Sequence, residues 1–266
     1  MQTAVIVGTG LLGSSFGLAA RRAGLFGRII GVSSPPVAAG ALAVHAIDEV
    51  LDLAPALAEA DFVLLAQPVR RILSLLGEIE PLVKPGALIT DVGSTKVAIC
   101  AAGAAITRAT FIGGHPMAGR EVRGPEGALA TLFENRPWIL TAPHAGLEEM
   151  VRSLGAQPVQ LNPADHDRLV ALSSHLPQLA ATALASLLSE NDLRQVAGPG
   201  ILDMTRLALS SFPLWEDILS TNRDNIDAAL AAYIGELEAV RAALRSGMLQ
   251  PHFERGARLA SQLRRA

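Results

Sequence analysis

The stretch Thr3-Ala4-Val5-Ile6-Val7-Gly8-Thr9-Gly10-Leu11-Leu12-Gly13 decides the fold of this chain. The apolar run over Thr3–Gly8 predicts a buried strand, and Leu11–Ala23 predicts a helix that ends near Gly24. The glycines between strand and helix have the G-x-G-x-x-G spacing, and a second apolar strand follows about twenty residues on. In that context the motif predicts a dinucleotide-binding turn.

Each glycine of the motif has its own expected role. Gly8 permits the tight turn, Gly10 lets the backbone approach a pyrophosphate, and Gly13 lets helix and strand pack closely. The free N–H groups at the start of the helix then face the phosphates. The alternative is a glycine turn without a ligand. The residues expected to contact the cofactor here are Gly8, Thr9, Gly10, Leu11, Leu12 and Gly13.

Short apolar runs and helical stretches alternate up to about residue 160. Uninterrupted apolar strands separated by helices predict a mostly parallel sheet that is covered on both faces. The strands predicted after the first are Arg28–Val32, Asp61–Ala66, Ala87–Asp91, Phe111–Gly113, Trp138–Thr141 and Pro158–Leu161. The predicted helices between them are Pro55–Glu59, Val69–Ile79, Lys96–Thr107 and Gly146–Leu154.

Beyond Asn162 the pattern is helical, with segments predicted at His166–Ser189, Pro199–Leu209, Thr221–Arg245 and His252–Arg265. Asn222 or Asp224 is expected to cap the third segment, and Gly247 to end it. We therefore expect a Rossmann-type α/β domain over residues 1–161 and an all-helical domain over residues 162–266. Because one alanine-rich helical domain of this size cannot cover its own apolar faces, we expect a homodimer through it.

Composition excludes several classes of protein. The 266 residues include 22 Lys and Arg and 25 Asp and Glu, a net charge of −3, so the basic stripe of a nucleic-acid binder is missing. No run reaches the ~18–20 apolar residues of a membrane helix. The apolar start leads directly into the glycine motif, which signal-peptide cleavage would remove, and Cys100 is the single cysteine. We expect a cytoplasmic enzyme whose ligands are small molecules.

The end of the second strand is expected to select between NAD and NADP. An acidic residue there would bind the ribose 2′-hydroxyl, but this sequence has Ser33 and Ser34. Their hydroxyls can hydrogen-bond a 2′-phosphate, although no neighbouring arginine completes the site, so either cofactor is expected and NADP is favoured. The alternative is that both serines cap the next turn. Ala66-Gln67-Pro68 and Ser94 also follow strands, at the edge where such sheets bind ligands.

Two histidines and one arginine are candidates for the chemistry. His115 follows a predicted strand between glycines and a proline, so we expect it on a rigid loop, where it would accept a proton near neutral pH. His175 is either a site residue or a buried core histidine. Arg206 needs an anion, either a salt bridge to Asp203, Glu216 or Asp217, or a substrate carboxylate.

The same sequence argues against two other chemistries. Asp165-His166-Asp167 is interpreted as a helix-start cluster with a capping role, and no other group has metal-ligand spacing, so no metal is expected. Ser94 lacks a histidine in a nucleophile-elbow setting. Trp215 is interpreted as a core or interface residue, or as a ligand contact.

Five motifs together resemble the prephenate/arogenate (cyclohexadienyl) dehydrogenase family of tyrosine biosynthesis. In order they are GTGLLGSS (8–15), TDVGSTK (90–96), GGHPMAGRE (113–121), SSHLPQ (173–178) and DMTRLALSSFPLWEDILSTN (203–222). The resemblance implies oxidative decarboxylation of a cyclohexadienol, with hydride transfer to NAD or NADP, giving 4-hydroxyphenylpyruvate or tyrosine. By correspondence His115 removes the hydroxyl proton, Ser94 hydrogen-bonds the same hydroxyl, and Arg206 holds a carboxylate. The other residues expected to bind substrate are His175, Gln178, Glu121 (at the pocket mouth), Arg120 and Trp215.

This chain departs from the family pattern at Gln178, where many prephenate-preferring relatives have a second histidine. An amide can donate or accept, and Glu121 can pair with an ammonium, so prephenate and arogenate both stay open. Two alternatives to the family activity also stay open. A reductase of the β-hydroxyacid dehydrogenase type would use a lysine in the helical domain, but Lys96 is the last lysine of this chain. A non-catalytic NADP-binding redox sensor would leave His115, His175 and Arg206 unexplained.

Overall fold

The computed structural model describes residues 3–264. Its nine strands are β1 Thr3–Val7, β2 Arg28–Val32, β3 Glu49–Val50, β4 Phe62–Leu65, β5 Leu88–Asp91, β6 Thr110–Ile112, β7 Gly114–Pro116, β8 Pro137–Leu140 and β9 Gln157–Gln160. Its α-helices are α1 Leu11–Arg22, α2 Pro35–Ala43, α3 Leu53–Glu59, α4 Val69–Glu78, α5 Val97–Gly103, α6 Ala145–Ser153, α7 Pro163–Val170, α8 Leu176–Leu188, α9 Pro199–Thr205, α10 Phe212–Thr221, α11 Arg223–Ser246 and α12 Gln250–Leu263.

Six strands form a parallel sheet in the order β3-β2-β1-β4-β5-β6. Val5 of β1 pairs with Ile30 of β2 on one side and with Val63 of β4 on the other. The strand order reverses between β1 and β4, and the crevice beyond the carboxyl ends of the strands at such a switch point is where these sheets bind ligands. The predicted Rossmann-type fold is therefore confirmed.

Both faces of this sheet are buried, as the uninterrupted apolar strands predicted. Along β1 the side chains alternate, so Ala4 and Ile6 join one core while Val5 and Val7 join the other. The first core is completed by Phe16 of α1, which stacks on another buried ring of the sheet. Burial on both faces fixes the register and hence the position of the turn after β1.

The last two predicted strands do not extend this sheet. β7, β8 and β9 form a separate three-stranded sheet, in which β7 is antiparallel to β8 and β8 is parallel to β9. His115 pairs with Ile139 in it. The prediction that His115 lies on a loop was therefore wrong, because the residues after Ile112 re-enter a strand and take backbone partners from β8.

From Pro163 onward the described chain is helical, with two departures from the predicted segments. The first predicted helix contains a π-helical turn at Ala171–His175, a feature often found at functional sites. The segment predicted from Thr221 begins after Asn222, whose side chain makes no capping hydrogen bond. Gly247 ends that helix with a φ of 74°, as predicted.

Besides β7, sequence reasoning missed three elements. β3 has only two residues, and α2 opens with two prolines, which suit the first helical turn although they also indicate loops. α10 precedes the predicted helix and is separated from it by Asn222. In the single chain, none of the residues of α9 or α12 is buried. The exposed apolar side chains of the helical part include Leu187, Leu202, Met204, Leu209, Phe212, Leu214, Leu244, Phe253 and Leu263.

Candidate active site

The turn after β1 has the geometry of a nucleotide-binding turn. Gly8 has a φ of +101°, and a Cβ there would lie 2.2 Å from the carbonyl oxygen of Ala66. A Cβ on Gly13 would lie 1.9 Å from the carbonyl oxygen of Gly8, so α1 contacts the turn directly. A Cβ on Gly10 would have no atom within 4 Å. Two glycines are thus required by the fold, while the third faces open space where a ligand would lie.

The other residues expected at the cofactor surround this turn. Thr9 is buried, and its hydroxyl has no hydrogen-bond partner among the described residues, while its N–H donates to Ser33 Oγ at 3.4 Å. The Gln67 amide lies against Gly8, and Pro68 precedes α4. Leu11 and Leu12 begin α1. Ser34 precedes α2 without a capping bond from its hydroxyl, so that part of the capping alternative is wrong. This cradle fits the pyrophosphate of a dinucleotide.

Two alanine substitutions separate the fold requirement from the ligand requirement. We expect Gly13→Ala to lower the melting temperature, because its Cβ collides with the Gly8 carbonyl, at a cost of roughly 1–3 kcal/mol. Gly10→Ala is expected to leave the melting temperature nearly unchanged and to weaken nucleotide binding about tenfold or more. Thermal denaturation and nucleotide titration measure both, with Gly77→Ala in α4 as the control that should affect neither binding nor folding adversely. Unaltered nucleotide affinity in Gly10→Ala would contradict the assignment.

The catalytic candidate His115 lies at the carboxyl end of β5. The N–H of Gly114 donates to Asp91 Oδ1 at 3.0 Å, and Asp91 is the last residue of β5. Lys96 Nζ bonds both Asp91 and the Gly114 carbonyl oxygen, and Lys96 and Asp91 are fully buried. Ser94 is partly exposed in the loop between them. A buried ion pair therefore fixes the backbone from which His115 projects.

Behind His115 lies a series of hydrogen bonds that sequence reasoning missed. His115 Nδ1 lies 2.8 Å from His166 Nε2, and His166 Nδ1 lies 2.7 Å from Asp167 Oδ1. The Asp167 carboxylate also accepts from the backbone N–H groups of Lys96 and Val97 at 2.6 and 2.9 Å. The capping interpretation of His166 and Asp167 was therefore wrong, because both are buried against the start of α5.

The hydrogen bonds from His115 through His166 to Asp167 determine which nitrogen of His115 carries a proton. A carboxylate only accepts, so His166 donates from Nδ1 to Asp167, and in the neutral tautomer its Nε2 is then the acceptor. His115 must then donate from Nδ1 to His166, which leaves the lone pair of His115 Nε2 free. Burial, together with the positive charge of Lys96, holds the pKa of His115 well below its usual 6.5. At neutral pH His115 is therefore an unprotonated base.

The second predicted histidine, His175, is buried beside the same network. Asn222 Nδ2 donates to the Asp167 carbonyl oxygen at 2.7 Å and lies 3.3 Å from His175 Nδ1. Burial lowers the pKa of His175 to about 4, so its ring is neutral and carries its proton on Nε2. The Trp215 ring packs edge-on against it, with centroids 5.9 Å apart. His175 and Trp215 thus form one wall of the candidate site.

Arg206 pairs with a residue that was predicted separately. Its Nη1 donates to Glu121 Oε1 at 2.9 Å, and both side chains are more than half exposed, at 57% and 71%. The suggested bridge to Asp217 was wrong, because that carboxylate pairs with Arg70. Arg120 is exposed and donates to the Gly127 carbonyl oxygen at 2.6 Å. Arg206 and Glu121 therefore form an ion pair that is exposed to solvent.

Two family models cover most of the chain. Residues 16–154 match the model described as prephenate dehydrogenase, nucleotide-binding domain, and residues 162–257 match the model described as prephenate dehydrogenase, dimerization domain. No helix among residues 3–264 has both the length and the apolar character needed to span a membrane. Nor does that part of the chain bring together three or more His, Cys, Asp or Glu side chains that would hold a metal ion.

Individual proteins agree with these matches. Prephenate dehydrogenase of Bacillus subtilis is 33% identical over 257 residues, covering 90% of this chain and 69% of that protein. Cyclohexadienyl dehydrogenase of Zymomonas mobilis is 32% identical, covering 96% of this chain and 94% of that protein. The crystal structure of A. aeolicus prephenate dehydrogenase with hydroxyphenyl propionate and NAD+ is 28% identical, with a TM-score of 0.89 and coverage of 99% and 98%. This chain belongs to the prephenate dehydrogenase family.

Proposed function

We propose that this protein catalyses the oxidative decarboxylation of prephenate, arogenate or both, with hydride transfer to NAD or NADP. The observation that carries the proposal is the free Nε2 lone pair of His115, held by His166 and Asp167 at the carboxyl end of β5. The neighbouring turn at Gly8–Gly13 would hold the pyrophosphate of the dinucleotide. When bound there, the nicotinamide supplies the hydride acceptor.

In this proposal His115 does the proton chemistry. Its Nε2 takes the proton of the ring hydroxyl, while Ser94 hydrogen-bonds the same oxygen and orients it. The ring of His115 then carries a positive charge, which the Asp167 carboxylate stabilises through His166. Aromatisation drives the loss of CO2 and leaves a phenolate, to which His115 returns the proton, so the protein only has to orient the ring, hold one proton and pair with the carboxylates.

Substrate carboxylates are assigned to Arg206, with His175, Gln178, Arg120 and Trp215 around the substrate and Glu121 at the mouth. The guanidinium presents a planar pair of donors that suits a carboxylate, and its present partner Glu121 shows that it takes one. Because both side chains are exposed, exchanging one carboxylate for another has a small desolvation cost.

Arg206→Ala is expected to raise KM about tenfold or more with little change in kcat, because the guanidinium holds ground state and transition state alike. Steady-state kinetics with varied substrate measures this. Arg194→Ala is the matched control, since Arg194, like Arg206, is exposed and paired with a carboxylate, in its case that of Asp192. An unchanged KM in Arg206→Ala would place the carboxylate clamp elsewhere.

Three further parts of the proposal concern assembly and cofactor. The chain divides into a dinucleotide-binding domain over residues 1–161 and a helical domain over residues 162–266. The exposed apolar residues of the helical part support a homodimer formed through it, as does the description of the matching family model. NADP is favoured over NAD, because Ser33 and Ser34 place hydroxyls and no carboxylate at the end of β2.

The test is a spectrophotometric assay at 340 nm with prephenate and arogenate, each with NAD and with NADP. Turnover in any of the four pairings supports the proposal. The ratios of the rates give the preference between prephenate and arogenate and the preference between NAD and NADP. No turnover in all four, with tight nucleotide binding in a parallel titration, would contradict it and favour the redox-sensor alternative. The β-hydroxyacid dehydrogenase alternative is already weakened, since Lys96 is the last lysine and its amine is fully buried in an ion pair.

A further inference from the structure

The amide of Gln178 has a fixed orientation. Gln178 lies in α8 and is only 5% exposed. One end of its amide lies 2.9 Å from the Leu207 carbonyl oxygen, which can only accept, so that end must be Nε2. The same nitrogen lies 3.3 Å from Thr182 Oγ1, whose own proton is donated to the backbone carbonyl oxygen of Gln178. The protein therefore uses both N–H groups of this amide.

The remaining polar atom of Gln178 has no partner. Its Oε1 is buried and accepts no hydrogen bond from the described residues. Gln178 lies three residues after His175 in the continuous helix and so shares a face with it. Its amide also touches the turn that begins with Arg206. Gln178 therefore shares a helix face with His175 and contacts the turn that holds Arg206, and a buried acceptor without a partner marks where a ligand donor would lie.

A second buried polar atom, a donor on the ring that packs against His175, also lacks a partner. Trp215 Nε1 is buried and donates to no described residue, and the Trp215 ring packs on His175. The neutral His175 ring carries its proton on Nε2, since its Nδ1 faces the Asn222 amide nitrogen. The wall built from His175, Gln178 and Trp215 therefore offers two donors and one acceptor.

We infer that this wall recognises the side chain of an α-amino acid, and that the enzyme prefers arogenate to prephenate. The inference rests on the proposed function and specifies its substrate. An ammonium donates to Gln178 Oε1, while the adjacent carboxylate accepts from Trp215 Nε1 or His175 Nε2. The side chain of prephenate has a keto group and a carboxylate, which only accept, so both can take donors of the wall but neither can pair with Gln178 Oε1, which would stay buried without a partner.

The experiment compares kcat/KM for arogenate and prephenate in the wild type, Gln178→Met and Gln178→Glu. The wild type is expected to favour arogenate. Gln178→Met removes the acceptor at similar volume and is expected to lower the arogenate-to-prephenate ratio roughly ten- to a hundredfold, the range of a hydrogen bond to a charged group. Gln178→Glu keeps the acceptor, adds a negative charge and is expected to hold or raise the ratio. Gln157→Met, at an exposed site in β9, is the control and should leave the ratio unchanged.

The outcomes separate this inference from the proposed function. A wild type that prefers prephenate overturns the inference while the proposed function stands, as does a ratio that Gln178→Met does not move. If Gln178→Met fails to fold, the wild-type ratio and Gln178→Glu still decide. A wild type that binds nucleotide and turns over neither substrate overturns the proposed function itself.

Discussion

His115→Asn is expected to lower kcat by roughly a hundredfold to ten-thousandfold, the contribution typical of a positioned general base. Asparagine fills similar space and can still donate to His166 Nε2, but it has no basic nitrogen to take the hydroxyl proton. Because Gly8–Gly13 and the ends of β1 and β4 are untouched, nucleotide affinity is expected to stay within about twofold. Steady-state kinetics and nucleotide titration measure the two quantities.

His45→Asn provides the control for this substitution. His45 is exposed and has a φ of 59°, a conformation that asparagine tolerates, so folding and turnover are expected to be unaffected. An unchanged kcat in His115→Asn would refute the role of His115 as the base.

The pH dependence of the wild type tests the same assignment. The value of kcat/KM is expected to fall only below pH 6.5, because burial and Lys96 disfavour the protonated form of His115.

Asp167→Asn is expected to lower kcat roughly a hundredfold or more, although Asp167 is a positioning residue that acts through His166. Without the carboxylate, the tautomer of His166 is no longer fixed, and the positive charge formed on His115 loses its stabilisation. The amide also meets the N–H groups of Lys96 and Val97 with one acceptor instead of two, so about 1–3 kcal/mol of stability is expected to be lost.

The measurement must distinguish positioning from partial unfolding. Turnover is therefore expressed per nucleotide-binding site and compared with Asp165→Asn, which alters an exposed carboxylate two residues away. The expected result is a low rate at full nucleotide-binding capacity in Asp167→Asn and a normal rate in Asp165→Asn. A rate that falls only in proportion to the nucleotide-binding capacity would mean that Asp167 supports folding alone.

The glycine turn after β1 was predictable because the contacts that shape it are local. The strand, the turn and the helix are contiguous in Thr3–Ala23, and the glycine spacing reports close contacts within a single β-α unit. The parallel direction of the strands followed from apolar runs that alternate with helices. The separate sheet of β7, β8 and β9 was not predictable in this way, because β7 pairs antiparallel with β8 through strands of three and four residues that carry no periodic signal.

The link from His115 to Asp167 was missed for a different reason. In the sequence, Asp165, His166 and Asp167 are three polar neighbours at a helix start, where capping is the ordinary role, and the structure does place Asp165 in the first turn. His166 and Asp167 face inward only because α7 packs on α5. Contacts between residues about seventy positions apart in the sequence decide their role, and a single sequence does not show such contacts.

Counting the products of the wild-type reaction is the most direct test of whether the protein couples hydride transfer to decarboxylation. Reduced nicotinamide is followed at 340 nm, and CO2 is collected from the same mixture. We expect one CO2 for each reduced nicotinamide, since hydride loss and decarboxylation form one aromatising reaction. Reduced nicotinamide without CO2 would identify a simple alcohol oxidation, and bound nucleotide with neither product would identify a binding protein. Either result would contradict the proposed oxidative decarboxylation.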